Sequence, residues 1–409
     1  MKMLKRFLSC ERGNYALITV ITMVPLMAAV AGVVDFTGTR NDAAKLQNAL
    51  DATALAVGTV YYSGMTVTDL HQLGEKFFAA NMLIPTSQDL QIANVETLPE
   101  FDISANQDGQ AHFISAASAI HHQGLVGALN WTAHRSSYVK VEPGQPACVL
   151  ALDPTASEAV KIQGSTDVSM PGCVVASNST ASDSVYRGGS ARIEAACVVA
   201  SGGAVGFASG STLTCGAPLV DQYPSFDPLA DVTPPQFTAC QLIPGGKAVT
   251  LSPGTYCNKD WGGNITLNPG VYVLRDININ LNGNSSLSGS GVTIFLMGNS
   301  QFTTNGNSVV NLSPPSSGDY AGITIFQAQG DMSPMIINGT SGSNISGFIY
   351  APSAPITYTG NSDMSSAGTC LRIVGDTIQM SGNSAVKSDC TAELGGRMAY
   401  AGRIVTLVE

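Results

Sequence analysis

Nine cysteines, five histidines and a scatter of aspartates are the side chains of this sequence best suited to chemistry. Glycoside hydrolysis needs two facing carboxylates ~5–9.5 Å apart, and general acid–base work is most often given to histidine. The acids of the C-terminal part, Asp260, Asp276, Asp319, Asp331, Asp363 and Asp376, form no close pair and no D-x-D. All five histidines (His71, His112, His121, His122 and His134) precede the repeats described below, so none is a base within them. The spacing predicts no catalytic residue and no cofactor. His121-His122 reads as a solvated turn. "DPTAS", with Asp153, Thr155 and Ser157, mimics the D-x-S-x-S of a von Willebrand A metal site. That site needs alternating helices and strands after it. "AVKIQGSTDVSMPG" follows instead and reads as one coil of a repeat, so no metal is expected.

The cysteines point elsewhere. Cys10 lies near the N-terminus, and Cys148, Cys173, Cys197, Cys215, Cys240, Cys257, Cys370 and Cys390 make an even set after it. No C-x-x-C and no nearby histidine supports zinc, so disulfides in an oxidising compartment are the expectation. Cys148, Cys173 and Cys197 recur at one point of successive repeats, and strands about 4.8 Å apart are within bridging range. Joining sequence neighbours gives Cys148–Cys173, Cys197–Cys215, Cys240–Cys257 and Cys370–Cys390. Eight cysteines admit about 105 pairings, so other connectivities stay open.

The elements that position these residues are repetitive. Apolar runs open at Val271, Val292, Ile323, Phe348 and Leu371; second runs follow at Ile277, Gln301, Met335, Pro355 and Thr377. Each pair then meets a corner, at Gly283, Gly306, Gly339, Gly360 and Gly382. Val149, Val174 and Val198 open coils in an earlier block, with corners at Gly164, Gly188 and Gly210. A period of twenty-odd residues fits a parallel β-helix (solenoid), whose coils bury their apolar face only by stacking. An antiparallel β-sandwich is the alternative. Gly-Asn-Ser occurs five times, at Gly283, Gly298, Gly306, Gly360 and Gly382. Glycine supplies the unusual φ, Asn tolerates it and Ser bonds local backbone. The tripeptide is therefore read as turning the chain, and stacked Asn and Ser are expected to pair from coil to coil. Gly298 marks a second corner. Between the blocks, "GAPLVDQYPSFDPLADVTPPQ" holds five prolines and reads as an irregular crossing or linker.

The N-terminus reads as a membrane anchor. Tyr15 to Val34 gives 20 uncharged residues, long enough to span a bilayer. Lys2, Lys5, Arg6 and Arg12 precede it and Asp35 follows, which places the N-terminus in the cytoplasm and the bulk outside. A signal peptide cleaved at "AAVAG" is the alternative. Helices are expected over 42–57 and over "TDLHQLGEKFFAANM", with Leu70, Leu73, Phe77 and Phe78 on one face and Thr68 or Asp69 as cap. Two alternating runs around a turn "NQDG", a short helix at 125–129 and a strand "WTAHRSSYVKV" complete a small α+β region. The expected divisions are a basic tail 1–14, the anchor 15–34, the α+β region 35–142, a first block 143–215, a Pro-rich linker 216–245 and a second block 246–409.

Arg6 to Gly58, with "E-R-G-N" before the anchor, Asp35 closing it and "L-Q-N-A-x-D-A-x-A-L-A" beyond, resembles the TadE/TadG-like N-terminal region of Flp (tight-adherence) pilus-assembly proteins. The resemblance is looser through Glu142. "LSPGTY", "LNPGVY" and "LALDP" are similar to stretches of TadG-like chains. It implies an inner-membrane component of the apparatus that builds or anchors Flp pili, with other components of that system as partners and a pilin-like region after the anchor. Prepilins of these systems carry Glu five residues after a Gly cleavage point; here that residue is Ile18, a departure from the pilin pattern. A formal charge of −10 and 12 % charged residues argue against nucleic acid. The expected function is therefore a non-enzymatic anchored structural part exposing a rigid, disulfide-stapled solenoid to the periplasm or exterior. An anchored carbohydrate-binding module or adhesin, holding surface glycans on polar Asn/Ser/Thr faces, is the alternative. A β-helix polysaccharide-processing enzyme ranks third.

Overall fold

The computed structural model describes residues 11–61, 65–82, 100–108, 111–123, 130–339, 342–360, 369–390 and 395–408. Cys10, the helix expected at 125–129, and Asp363 lie outside them. Two compact units divide the chain: Met1–Glu142 with Val405–Glu409, and Pro143–Ile404.

In the first unit, the expected anchor and the helix after it are one continuous helix, α1 (Glu11–Val60). Pro25 lies inside it; a transmembrane helix tolerates the lost bond because neighbours and local adjustment re-satisfy the backbone. Its N-terminal half is apolar and exposed, from Ile18 to Phe36. Its C-terminal half switches to a buried stripe, Ala43, Leu46, Leu50, Ala54 and Val57, at the three- and four-residue spacing of one helix face. A second helix, α2 (Val67–Met82), buries Leu70, Gly74, Phe78 and Ala79. Leu73 and Phe77 are only half-buried, so the buried stripe centres on Gly74, beside Phe101 and Ile103. The cap is Thr66, not Thr68 or Asp69: its Oγ1 accepts the Asp69 N–H at 3.1 Å and donates to the Asp69 carboxylate at 2.7 Å. Asp69 is N3 to this cap, which lies two residues before Thr68. Strands β1 (Phe101–Asp108) and β2 (Ala111–Gln123) pair antiparallel, and β2 pairs antiparallel with β3 (Asn130–Ala151). β1 takes in Asn106, Gln107 and Asp108, which were expected in the turn.

The second unit is built almost wholly of parallel pairs, so the antiparallel sandwich is set aside. The chain visits three sheets in turn. The first stacks, in spatial order, Val198–Ala200, Val174–Ser177, the end of β3, Leu371–Gly375, Gly347–Ala351, Ile323–Gln327, Val292–Met297, Gly270–Arg275 and Gly254–Tyr256. The second stacks Ala204–Val205, Val185–Arg187, Val160–Ile162, Ile378–Met380, Ile356–Gly360, Met335–Gly339, Phe302–Thr304 and Ile279–Leu281. The third side has two pieces. Ser211–Leu213, Arg192–Ala195, Asp167–Met170 and Ala385–Lys387 form one; Asn344–Ile345, Val309–Ser313, Ser286–Ser290, Asn264–Leu267 and Ala248–Leu251 form the other.

The strands are Val/Ile/Phe-rich because parallel strands are buried on both faces. Ile279, Phe302, Ile356, Ile378 and Val160 line one continuous inner core, alternating with outward Asn280, Thr303, Thr357, Gln379 and Lys161. The first sheet also buries its outer face, where Phe295, Phe326, Phe348 and Tyr350 form a second cluster with Leu229, Ala399 and Ala401.

Spatial order is not chain order. The two expected blocks meet edge to edge at a seam. Leu371–Gly375 pairs with the end of β3 (Ile373↔Val149), Ile378–Met380 with Val160–Ile162, and Ala385–Lys387 with Asp167–Met170. The blocks are thus one contact unit, and 405–409 belongs with the first unit rather than the second block. The Pro-rich segment runs back over the outer face of the first sheet as a strap. Leu219 bridges Val199, Ser225 and Asn178 exchange backbone and amide bonds (2.7 and 3.0 Å), and Tyr320 donates to the Thr233 carbonyl at 3.1 Å. Arg275 then lies over the Phe237 ring, and Gln241 donates to the Thr255 carbonyl at 2.7 Å. Leu229 is fully buried, so this stretch is a packed crossing and not a free linker.

Candidate functional site

Three of the acids singled out by type, Asp260, Asp276 and Asp331, accept backbone N–H groups on their carboxylates. Asp260 Oδ1 accepts the Asn278 N–H at 2.8 Å, and Asn278 Oδ1 accepts the Gln301 N–H at 3.0 Å, one strand further on. Asp276, at positive φ, accepts the Asn299 N–H at 3.4 Å, and Asp331 accepts the Ser333 N–H at 2.9 Å. The Asp319 carbonyl takes a bond from Arg397. Asp376 sits at the seam beside Asp153, whose N–H donates to the Asp376 carbonyl at 3.0 Å. Burial first, and the Asp153 charge second, raise its carboxyl above the ordinary range. In "DPTAS", Asp153 Oδ1 accepts the N–H groups of Thr155 and Ala156 at 2.7 and 2.6 Å, an Asx turn, while Ser157 donates to Asp183 at 2.7 Å. Among the described residues no three His, Cys, Asp or Glu side chains converge as a metal site. His121 and His122 lie in β2 opposite Thr132 and Trp131, not in a turn; His121 Nδ1 is 2.8 Å from Thr132 Oγ1. Strand pairing with β3 carries the ladder past the point where two polar residues suggest a stop.

The glycine corners form a column. Gly283, Gly306, Gly360 and Gly382 have φ of 65°, 69°, 83° and 85°, and Gly339 ends its strand in register with Gly360. The column continues across the seam through Gly164 and Gly189, at 81° and 66°. The expected corner Gly188 is displaced by one residue and packs on Tyr186. A Cβ on Gly382 would stand 2.7 Å from the Gly360 carbonyl oxygen, and one on Gly164 would stand 2.9 Å from that of Gly382. Glycine is needed here for conformation and for approach. Beside the column, Asn305 donates to Asn282 and Asn338 to Asn305, each at 3.4 Å. The ladder uses the Asn before Gly283, Gly306 and Gly339, not the Asn of Gly-Asn-Ser. Gly298 lies at the other corner, against Asp276.

The cysteines are joined as Cys148–Cys173, Cys197–Cys215, Cys240–Cys257 and Cys370–Cys390, with Cα separations of 5.6, 5.4, 5.8 and 4.5 Å. All four lie in the usual disulfide range. Cys148–Cys173 ties consecutive strands of the first sheet. Cys215 directly precedes the strap and Cys240 ends it, so a bridge fixes each end.

One polar pair carried no sequence signal. Asp227 and Tyr350 lie 123 residues apart, and the Tyr350 hydroxyl donates to Asp227 Oδ2 at 2.8 Å under the strap. Burial pushes the Asp227 carboxyl up, against bonds from the Leu229 N–H and Tyr350 that pull it down. Tyr350 is pushed up by the same burial and then by the Asp227 charge. "F-D-P-L" at Phe226–Leu229 sets Asp227 two residues before Leu229, the fully buried residue of the strap. On the outer side of the Ala248–Ile345 sheet piece, an open trough of about 550 Å³ is lined by Ser288, Ser290, Asn311, Ser313 and Asn344 over Leu267 and Leu312. Among the described residues no charged side chain lines it. It holds hydroxyl and amide groups suited to neutral polar ligands.

Among the described residues, the chain has one helix long and apolar enough to cross a membrane, spanning Ile18–Val60 by that measure. Residues 229–394, from the buried Leu229 of the strap through the last strands of the second block, match the family model "Domain of unknown function (DUF7305)". No curated protein and no solved structure matches the chain. Residues 13–60 match the family model "Putative Flp pilus-assembly TadE/G-like", almost the whole of α1, so the chain carries a TadE/G-like N-terminal domain on its long apolar helix.

Proposed function

We propose that the protein is a non-enzymatic, membrane-anchored structural component of an Flp/Tad-type pilus assembly or adherence system. The observation that carries this reading is the coincidence of the TadE/G-like match, residues 13–60, with α1 and its exposed apolar half. In this reading α1 crosses the inner membrane once, with the basic N-terminus in the cytoplasm. Residues 36 onward stand in the periplasm or beyond, the first unit as a pilin-like stalk and the second as a parallel β-solenoid. Sheets visited in turn, a corner column of glycines and Asn pairs between coils support the solenoid. Four disulfides support an oxidising compartment. The acids that bond neighbouring strands favour a scaffold over catalysis. Its partners are other components of the pilus system.

A reporter fused after Val57 is expected to be active outside the cytoplasm; activity inside would overturn the topology. The tagged full chain is expected to copurify with prepilins and the secretion ATPase of such a system. Recovery of neither would remove the pilus role. The uncharged Ser/Asn trough favours one second reading, an anchored module that holds surface glycans. Glycan binding by the chain that is lost with Asn311→Leu would support it; binding unchanged by that substitution would exclude the trough.

A further inference from the structure

The seam in the second unit joins edges that are far apart in sequence, and nothing covalent crosses it. Val149 and Ile373 are register partners 224 residues apart. Cys148–Cys173 and Cys197–Cys215 lie wholly on one side; Cys240–Cys257 and Cys370–Cys390 lie wholly on the other. The seam itself is backbone ladder and close packing. Leu152 donates to the Gly375 carbonyl at 2.8 Å, Ile378 to that of Ala159 at 2.7 Å, and Asp167 to that of Ser384 at 2.9 Å. Ile373, Val149, Val160, Ile378, Val168 and Val386 are fully buried or nearly so beneath it.

We propose that this seam is also an interface between two copies of the chain, made by exchange of residues 143–215. The edge formed by Leu371–Gly375, Ile378–Met380 and Ala385–Lys387 is the same on every copy, so a second copy's edge fits β3 and its neighbours in the same register. Residues 143–215 fold about local repeats and hold two disulfides of their own. Their open parallel edge is complete well before residues 371–387 have been made, because domains form in order of synthesis. An unpaired edge is a ready template for another chain, and an exchange of identical elements remakes the contacts of the seam without new chemistry, leaving only those of the strap to change. The strap is the hinge. Residues 216–239 lie between Cys215 and Cys240, and 24 residues extend to about 80 Å. The eight strands of the second sheet stack to only about 34 Å, so the hinge has slack to reach a neighbouring stack.

Outward-facing Lys161 and Gln379 are register partners across the seam, at a separation that a disulfide bridges. Two differently tagged full chains, one with Lys161→Cys and one with Gln379→Cys, are coexpressed and run without reductant. Exchange predicts a covalent dimer that carries both tags, collapses on reduction, and is absent when either variant is made alone. A single chain carrying both substitutions tests the geometry, since its bridge closes within a chain or between chains. If that chain closes its bridge as monomer while the coexpressed pair yields no mixed dimer, exchange is excluded.

Discussion

Replacing two glycines of one corner column separates conformation from crowding. Gly283 has φ of 65° and nothing within 4 Å of an added Cβ; Gly382 has φ of 85°, with the Gly360 carbonyl oxygen at 2.7 Å and its nitrogen at 3.0 Å. In Gly283→Ala the left-handed backbone costs ~1–2 kcal/mol, offset in part by the ~0.4–1 kcal/mol that a stiffer unfolded chain returns. The net is a loss of about 1 kcal/mol. Gly382→Ala pays the same strain and must also push the next coil away. Asn383 N–H donates to the Gly360 carbonyl at 2.9 Å across that approach, and Ser165 N–H donates to the Gly382 carbonyl at 2.8 Å from the turn on the other side, so a shift of Gly382 strains both. Weakening both adds roughly 0.5–1.5 kcal/mol each, for a total of about 2–4 kcal/mol.

The readout must be local, since stacked repeats contact only their neighbours and can open piecewise. Hydrogen exchange at the Ser165 and Asn383 amides reports the seam corner. Fluorescence of Trp261, buried beside Ile279 near the far end of the stack, reports global loss in guanidinium. Gly382→Ala is expected to lower protection at both amides by at least tenfold more than Gly283→Ala lowers it at its own corner, read at the Asn305 amide that bonds the Leu281 carbonyl at 2.8 Å, the ratio that about 1.4 kcal/mol implies. Equal effects of the two substitutions, or none from either, would refute the stacking argument and leave the glycines as ordinary turn residues.

Three further outcomes follow from the geometry. Burial raises the Asp227 carboxyl, so its support of the strap is full below the unfolded value of about 3.9 and is lost as pH rises through the folded value. Exchange protection over 225–233 should fall across that window, and Asp227→Asn should flatten the profile. Peptide mapping of the non-reduced chain should show four cystines between sequence neighbours, in loops of separation 17 to 25 residues. Each contributes ~3 kcal/mol in the chain-entropy picture; free thiols at most of the eight positions would sink the stapled reading.

Much of this arrangement was legible because it rests on local rules. The uncharged run Tyr15–Val34 and the Ala/Leu stripe beyond it announce α1 as one helix emerging from the anchor. Apolar runs with recurrent glycines announce strands and corners, since only glycine meets both the φ and the close approach at Gly164, Gly306 and Gly382. Errors of one or two residues, Gly189 for Gly188 and Thr66 for Thr68, arise where neighbouring residues satisfy the same rule and packing selects one. The Asn ladder was placed on the wrong Asn for the same reason: Asn282 and Asn284 flank one glycine, and only the first is positioned toward the next strand.

What stayed hidden is the order of stacking. A repeat pattern says that coils stack on their neighbours, and the natural inference is that the neighbour in sequence is the neighbour in space. Here Leu371–Gly375 faces β3, and the first block joins the end of the second. Nothing in either edge encodes this, because Val149 meets Val175 on one side and Ile373 on the other by the same backbone ladder. The information lies in the strap. A chain leaving Cys215 must return the full length of the stack to begin again at Ala248 from the far end. The five prolines that marked 216–236 as irregular fit a segment that, after the single bridge from Leu219 to Val199, crosses over strands without adding one of its own, and Leu229 and Asp227 show where it is held. A Pro-rich stretch between two sets of repeats, bounded by cysteines and carrying apolar residues such as Leu219, Phe226 and Leu229 among its prolines, is thus better read as a return path than as a boundary between domains.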